Sequence, residues 1–160
     1  MQNRKLDFYT DGAYSSKSQM GGWATLCIED DNVIDVQKGY EPYTTNNRME
    51  LSGFLAALEA IDTIETSRAE VTIYTDSAYI ANCINNKWYA TWMKNGWKTS
   101  DKQDVKNQDL WSRIIALYIK NHARLYLLEV VKVKGHSDNK YNNAADVYAV
   151  RERQKLEVED

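Results

Sequence analysis

The chain has 160 residues and a mass of 18.5 kDa, a size that suits one domain and buries a core without staples. Hydrophobic residues make up 43% and charged residues 27%, which excludes intrinsic disorder, and no apolar run approaches the roughly 20 residues a membrane helix needs. The formal net charge is −3, so the mean field does not attract polyanions.

Residues 5–11 (Lys-Leu-Asp-Phe-Tyr-Thr-Asp) read as a strand ended by Gly12. Residues 22–29 and 33–41 read as two more strands, joined by the turn signal Asp30-Asp31-Asn32 into a hairpin. Leu51, Phe54, Leu55, Leu58 and Ile61 then fall on one helical face. Residues 70–75 form a short β-rich run and 77–85 a short helix. The Trp/Lys segment that follows reads as irregular. Leu110, Ile114, Leu117 and Tyr118 mark another helix, 124–133 a last strand and 143–155 a last helix. Three strands followed by alternating helix and strand predict an α/β fold, a mixed sheet with helices packed on it. The β-α-β passages require parallel neighbours.

Cys27 and Cys83 sit beside apolar residues without metal-ligand spacing, and read as buried free thiols. The N-terminus is polar, with no apolar signal core, so a cytoplasmic setting is expected. The charge is uneven. Residues 87–106 carry five lysines against Asp101 and Asp104, a local balance of +3, together with Trp88, Trp92 and Trp97. The tryptophans there either meet a ligand or pack a small satellite core, with Lys94 and Lys98 merely solvated in the second case.

One internal echo directs the search for chemistry. Residues 8–14 read Phe-Tyr-Thr-Asp-Gly-Ala-Tyr and residues 73–79 read Ile-Tyr-Thr-Asp-Ser-Ala-Tyr. If the two strands are parallel neighbours, Asp11 and Asp76 emerge side by side at their carboxyl ends, where open α/β sheets hold ligands. Alternatively each Asp caps the turn that follows it. Glu50 sits at the edge of the apolar stripe of its helix, either in a site or as the capping-box partner of an Asn47 N-cap. Asp146 lies in the apolar context Ala144-Ala145-Asp146-Val147, as a site acid or as a first-turn acid favoured by the helix dipole. His136 falls on the loop after the last strand. Hard oxygen ligands without a Cys/His cluster point to Mg²⁺ or Mn²⁺. Converging carboxylates repel unless cations sit among them, and a pair of such cations is how many nucleases cleave phosphodiesters.

Several blocks together resemble type I ribonuclease H, a member of the ribonuclease H-like superfamily. They are Thr44-Thr45-Asn46-Asn47-Arg48-Met49-Glu50-Leu51, Tyr9-Thr10-Asp11-Gly12, Tyr74-Thr75-Asp76-Ser77, and Val133-Lys134-Gly135-His136 with Asp146 following. Gly96-Trp97-Lys98-Thr99, Val105-Lys106-Asn107 and Asp109-Leu110-Trp111 resemble the family's basic handle and the helix after it. The match runs from about residue 6 to residue 150, in order. The resemblance implies a five-stranded mixed sheet flanked by helices, and endonucleolytic cleavage of the RNA strand of an RNA/DNA hybrid, leaving 5′-phosphate and 3′-hydroxyl ends. It implies that Asp11, Glu50, Asp76 and Asp146 hold two Mg²⁺ ions, with Mn²⁺ as an alternative, and that His136 aids proton transfer or product release. It implies that Asn46 and Asn47 meet the nucleic acid near the cleavage site, and that Thr45 and Asn107 hold a DNA phosphate. Trp88, Trp92, Lys94, Trp97 and Lys98 match the handle.

The sequence departs from the family's pattern at Ile28, where a basic residue is common, and at Ala78, where glutamine is common. The loop from Ala13 to Met20 lacks the usual Gly/Pro-rich sequence, and the handle carries lysines but no arginine. These departures bear on phosphate grip and leave the acids untouched. Integrases and resolvases share clustered acids but not the Thr-Thr-Asn-Asn-Arg-Met-Glu block. A reverse-transcriptase domain is a nearer rival, and a non-catalytic hybrid binder gains nothing from acids beside phosphates. The expectation is a free-standing monomer over residues 1–160, with no hybrid-binding domain ahead of residue 6.

Overall fold

The computed structural model describes residues 3–135 and 139–157. Its elements are β1 (Arg4–Tyr14), β2 (Gly21–Glu29), β3 (Asn32–Glu41), α1 (Asn46–Asp62), β4 (Ala69–Thr75), α2 (Ala78–Asn85), α3 (Trp88–Lys94), α4 (Gln108–Arg124), β5 (Leu127–Lys132) and α5 (Lys140–Leu156). The sheet order is β3-β2-β1-β4-β5. The β1–β2 and β2–β3 pairs are antiparallel, while β1–β4 and β4–β5 are parallel. This is the five-stranded mixed α/β sheet that the element order predicts.

Side chains alternate across the central strand, so it feeds two cores. Leu6 and Phe8 join Leu51, Phe54, Leu58 and Ile61 of α1, with α2 and α4 completing that layer. Tyr9 and Ala13 face the other way, into two smaller clusters closed by Ala145 and Ala149 of α5. Ile28 is buried in the first of these, with Tyr9 and Leu26.

Three expectations change. First, β1 does not stop at Gly12 but pairs with β2 as far as Tyr14↔Gly21. The glycine answers a tertiary demand, because a Cβ there would lie 2.6 Å from Glu50 N and 2.7 Å from the Met49 carbonyl carbon. Second, the N-cap of α1 is Thr45, whose hydroxyl accepts from Arg48 N at 3.2 Å, so the Asn47/Glu50 capping box is not formed. Third, the Trp/Lys segment contains α3, a seven-residue helix entered through left-handed Lys87 without a side-chain cap. Cys27 and Cys83 are buried free thiols, and burial pushes both up to about 12. Among the described residues, no helix is long and apolar enough to cross a membrane.

Candidate active site

The β1–β4 ladder ends at Tyr9↔Tyr74, whose rings stack with centroids 4.6 Å apart. Two residues further along each strand stand Asp11 and Asp76. The matched Tyr-Thr-Asp repeat is thus a matched register. Beyond it β4 stays with β5, where Val133 N donates to Thr75 O at 2.8 Å, while β1 stays with β2. The crevice opened by this parting is where parallel strands place ligands.

α1 enters the crevice N-terminus first, in close backbone contact with Gly12, and so delivers Glu50. Glu50 is 6% exposed and Asp11 4%. One carboxylate oxygen from each of Asp11, Glu50 and Asp76 lies within 4.8 Å of the others. A cavity of about 230 Å³ is lined by these three with Gly12, Asn46, Asn142, Asn143 and Asp146. Asp146 sits in mid-α5, past the first turn, and lines the same pocket as Asp11. The dipole-cap reading of Asp146 therefore does not hold.

Burial pushes the Asp11 carboxyl up to about 8, helped by the charges of Asp76 and Asp146, with the Gly12 N–H opposing. That N–H donates to Asp11 Oδ1 at 2.9 Å. Burial likewise raises Glu50 well above the carboxylate range, with Asp11 and Asp76 adding to it. Glu50 Oε2 is buried without a hydrogen-bond partner among the described residues. Folded proteins rarely leave a buried carboxylate oxygen unpaired. Hard oxygens, mutual repulsion and an orphaned acceptor together fit a hard divalent cation.

The remaining predicted residues surround this pocket at increasing distance. Asn46 lines it, and exposed Thr45 and Asn47 flank it at the N-terminus of α1. Asn107 begins α4 in the left-handed region at φ 60°. Arg48 reaches it, donating to Asn107 Oδ1 at 3.4 Å, to Asp109 Oδ2 at 2.7 Å and to Glu41 Oε1 at 2.8 Å. In the handle, Trp92 and Trp97 pack against the main core, Trp92 lying edge-on to Trp111 at 5.4 Å. Trp88 is 41% exposed, Lys94 is exposed in the last turn of α3, and Lys98 pairs with Asp104. His136 lies outside the described residues.

Sequence reasoning missed Asn142, Asn143 and the Arg48 clamp. The first two had a signal, because they precede Asp146 by four and three positions and share its helical face. Asn142 is 3% exposed, with Oδ1 unpartnered among the described residues. Arg48 had no local signal, since its partners come from β3 and α4. Arg48→Ala is expected to cost about 1–2 kcal/mol of stability, because the pairs form a network. Thermal unfolding checks this.

Comparison with known proteins agrees with this geometry. The family model described as RNase H matches residues 3–154. A ribonuclease H of Chlorobaculum parvum is 44% identical over 146 residues, covering 91% of this chain and 93% of that protein. Among solved structures, LC9-RNase H1, a type 1 RNase H with the type 2 active-site motif, shares 25% identity at a TM-score of 0.73, over 97% of this chain and 74% of that one. LC11-RNase H1, solved in complex with an RNA/DNA hybrid, superimposes with a TM-score of 0.67 at 18% identity, over 96% of this chain and 99% of that one. The central-strand register, the carboxylate cluster at its split and these matches converge: the chain belongs to the RNase H family.

Proposed function

We propose that the chain hydrolyses the RNA strand of RNA/DNA hybrids at the Asp11–Glu50–Asp76 cluster, leaving 5′-phosphate and 3′-hydroxyl ends. The observation that carries this reading is the convergence of three carboxylates within 4.8 Å, one of them with a buried oxygen that has no hydrogen-bond partner among the described residues. Asp11, Glu50 and Asp76, with Asp146 beside them, would hold two Mg²⁺ ions, or Mn²⁺ in their place. Bound there, divalent cations activate water and neutralise charge on the phosphate and the leaving oxygen.

The chain's own residues supply the rest. Gly12 N–H fixes the Asp11 carboxylate. Asn46 presents an amide at the pocket wall, in position to meet a ribose 2′-hydroxyl, the group that marks RNA. Thr45 and Asn107 flank the pocket and hold a phosphate of the DNA strand. Trp88, Lys94 and Lys98 extend that grip along the handle, with Trp92 and Trp97 bracing it from the core. His136 moves a proton at the departing product. Backbone contacts fix register without reading bases, so sequence preference is weak. The neighbour solved with a hybrid lends this choice of substrate support.

The test is a gel with labelled hybrid, duplex DNA and duplex RNA, each with and without Mg²⁺ or Mn²⁺. Cation-dependent cutting of the hybrid's RNA strand alone is expected. Cutting of duplex DNA, or none of the hybrid, overturns the reading.

Removing handle charge tests the grip separately. Lys94→Ala with Lys98→Ala is expected to raise the Michaelis constant and leave turnover nearly unchanged. Each phosphate no longer neutralised by a lysine should flatten the log–log salt dependence of binding by about 0.9. Wild-type values for both would restrict binding to the residues around the pocket.

A further inference from the structure

We infer that Tyr141 is a positioning residue for the cleavage pocket: its hydroxyl latches the first turn of α5 to the β2–β3 turn, and so sets where Asn142, Asn143 and Asp146 stand in the pocket wall. The inference rests on the hybrid-cleaving reading and extends it to two residues outside the pocket, Tyr141 and Asp31.

The latch joins elements far apart in the chain. β2 and β3 last pair at Glu29↔Asn32, so Asp30 and Asp31 alone make the turn. Both are left-handed, at φ 51° and 62°, the geometry of a two-residue hairpin turn whose second position glycine fills best. Asp31 holds that position and uses it for a contact. The Tyr141 hydroxyl donates to Asp31 O at 2.9 Å and to the Asp31 carboxylate. Lys140 Nζ stands 3.6 Å from Asp31 Oδ1 and 4.9 Å from the centre of the Tyr141 ring. Left-handed backbone at a residue other than glycine persists where the surroundings enforce it, and here the turn is fastened to a helix.

The same ring reaches the strands that carry the acids. Tyr141 lies 5.5 Å from Tyr9, centre to centre, and Tyr9 stacks on Tyr74. Tyr9 and Tyr74 precede Asp11 and Asp76 by two residues, on the same faces of their strands. The three rings form a row one layer below the carboxylates, one ring each from β1, β4 and α5. Asn139 caps α5 and donates to the Tyr9 hydroxyl oxygen at 3.4 Å.

Leverage gives the latch its reach. Further along α5, a Cβ on Gly22 would lie 2.3 Å from Ala149 O, so β2 grips the helix there and Ala149 acts as a fulcrum. At about 1.5 Å of rise per residue, Tyr141 lies about 12 Å from that fulcrum, Asn142 about 10 Å and Asp146 about 4.5 Å. A tilt released at Tyr141 reaches Asn142 almost whole and Asp146 by about two-fifths. Small displacements of groups that hold reacting partners are costly.

The experiment compares wild type with Tyr141→Phe, Asp31→Gly, Asp31→Asn and the Tyr141→Phe/Asp31→Gly double variant. The readouts are thermal unfolding, hybrid cleavage across a range of Mg²⁺, and calorimetric titration of Mn²⁺ into protein without substrate. Asp31→Gly should keep an unfolding midpoint near that of wild type, because glycine suits the left-handed turn. Asp31→Gly and Tyr141→Phe should each raise the Mg²⁺ needed for half-maximal rate, and the Mn²⁺ dissociation constant, by about 3–10-fold, as when a partner that orients metal ligands is lost. The Michaelis constant for hybrid at saturating Mg²⁺ should stay within about twofold. The double variant should be no worse than either single one, since both break one contact. Asp31→Asn keeps the acceptor oxygen and tolerates the left-handed turn, so it should match wild type. Wild-type cation dependence in both single variants overturns the inference, whatever their stability, and so does an Asp31→Asn variant that behaves like Asp31→Gly. Failure of the wild type to cleave hybrid overturns the reading beneath instead, and the Mn²⁺ titration still judges the latch.

Discussion

Asp11→Asn is expected to abolish hybrid cleavage and, in the metal-free protein, to raise stability at pH 8. The first effect follows from the site. Removing one of the carboxylates that would hold a divalent cation forfeits several kcal/mol of charge stabilisation, a factor of about 10³ or more in rate. The second follows from repulsion. In the metal-free fold Asp11 titrates at about 8 against an ordinary 3.8, and Glu50 is raised as well. A raised folded pKa means that stability is fully present below about pH 4, and is lost as pH rises through about 8. Metal-free wild type should therefore weaken across that window, and Mg²⁺ should restore it. Asp11→Asn should flatten the decline, gaining about 1–3 kcal/mol at its upper end. Chemical unfolding at pH 5 and pH 8, with and without Mg²⁺, measures this. Equal pH dependence in both proteins would contradict the clustered geometry. Asp76→Asn should likewise abolish cleavage with the fold intact.

Gly12→Ala is expected to damage both stability and activity. The new Cβ would meet Glu50 N at 2.6 Å and the Met49 carbonyl carbon at 2.7 Å. Both are backbone atoms of α1, and neither can swing aside. A cost of about 2–4 kcal/mol is expected, with loss of activity even where the variant is folded, because α1 must retreat and take Glu50 with it. Gly135→Ala is the informative contrast. Its Cβ would lie 3.3 Å from Asp76 Oδ2, a side-chain atom that can yield. Stability should hold within about 0.5 kcal/mol, while turnover falls as the carboxylate is displaced. Denaturant unfolding and kinetics on the two variants separate the effects; a Gly12→Ala variant as stable as wild type would refute the close-approach argument.

What could be read in advance depended on whether the cause was local. The Tyr-Thr-Asp repeat was legible because two parallel strands in register must carry the same pattern to the same depth. Glu50 was legible because a carboxylate at the edge of an apolar stripe needs a reason. The N-cap of α1 was not, because Thr44, Thr45, Asn46 and Asn47 all suit the position and only the chain's entry angle selects Thr45. Gly12 read as a breaker because its true cause, the backbone of α1, lies far along the chain. α3 escaped notice because about two turns of helix show no periodicity, and its entry through Lys87 carries no capping signal. The Arg48 clamp joins three elements and leaves no mark on any of them.

The central claim is that the crevice between β1 and β4 is a divalent-cation site built from Asp11, Glu50 and Asp76. The most direct measurement is a calorimetric titration of Mg²⁺ and of Mn²⁺ into wild type, Asp76→Asn and Asp109→Asn. The last removes a carboxylate that pairs with Arg48 outside the pocket. Binding to wild type and Asp109→Asn, with loss in Asp76→Asn, is the predicted result; equal binding by all three proteins would contradict the claim.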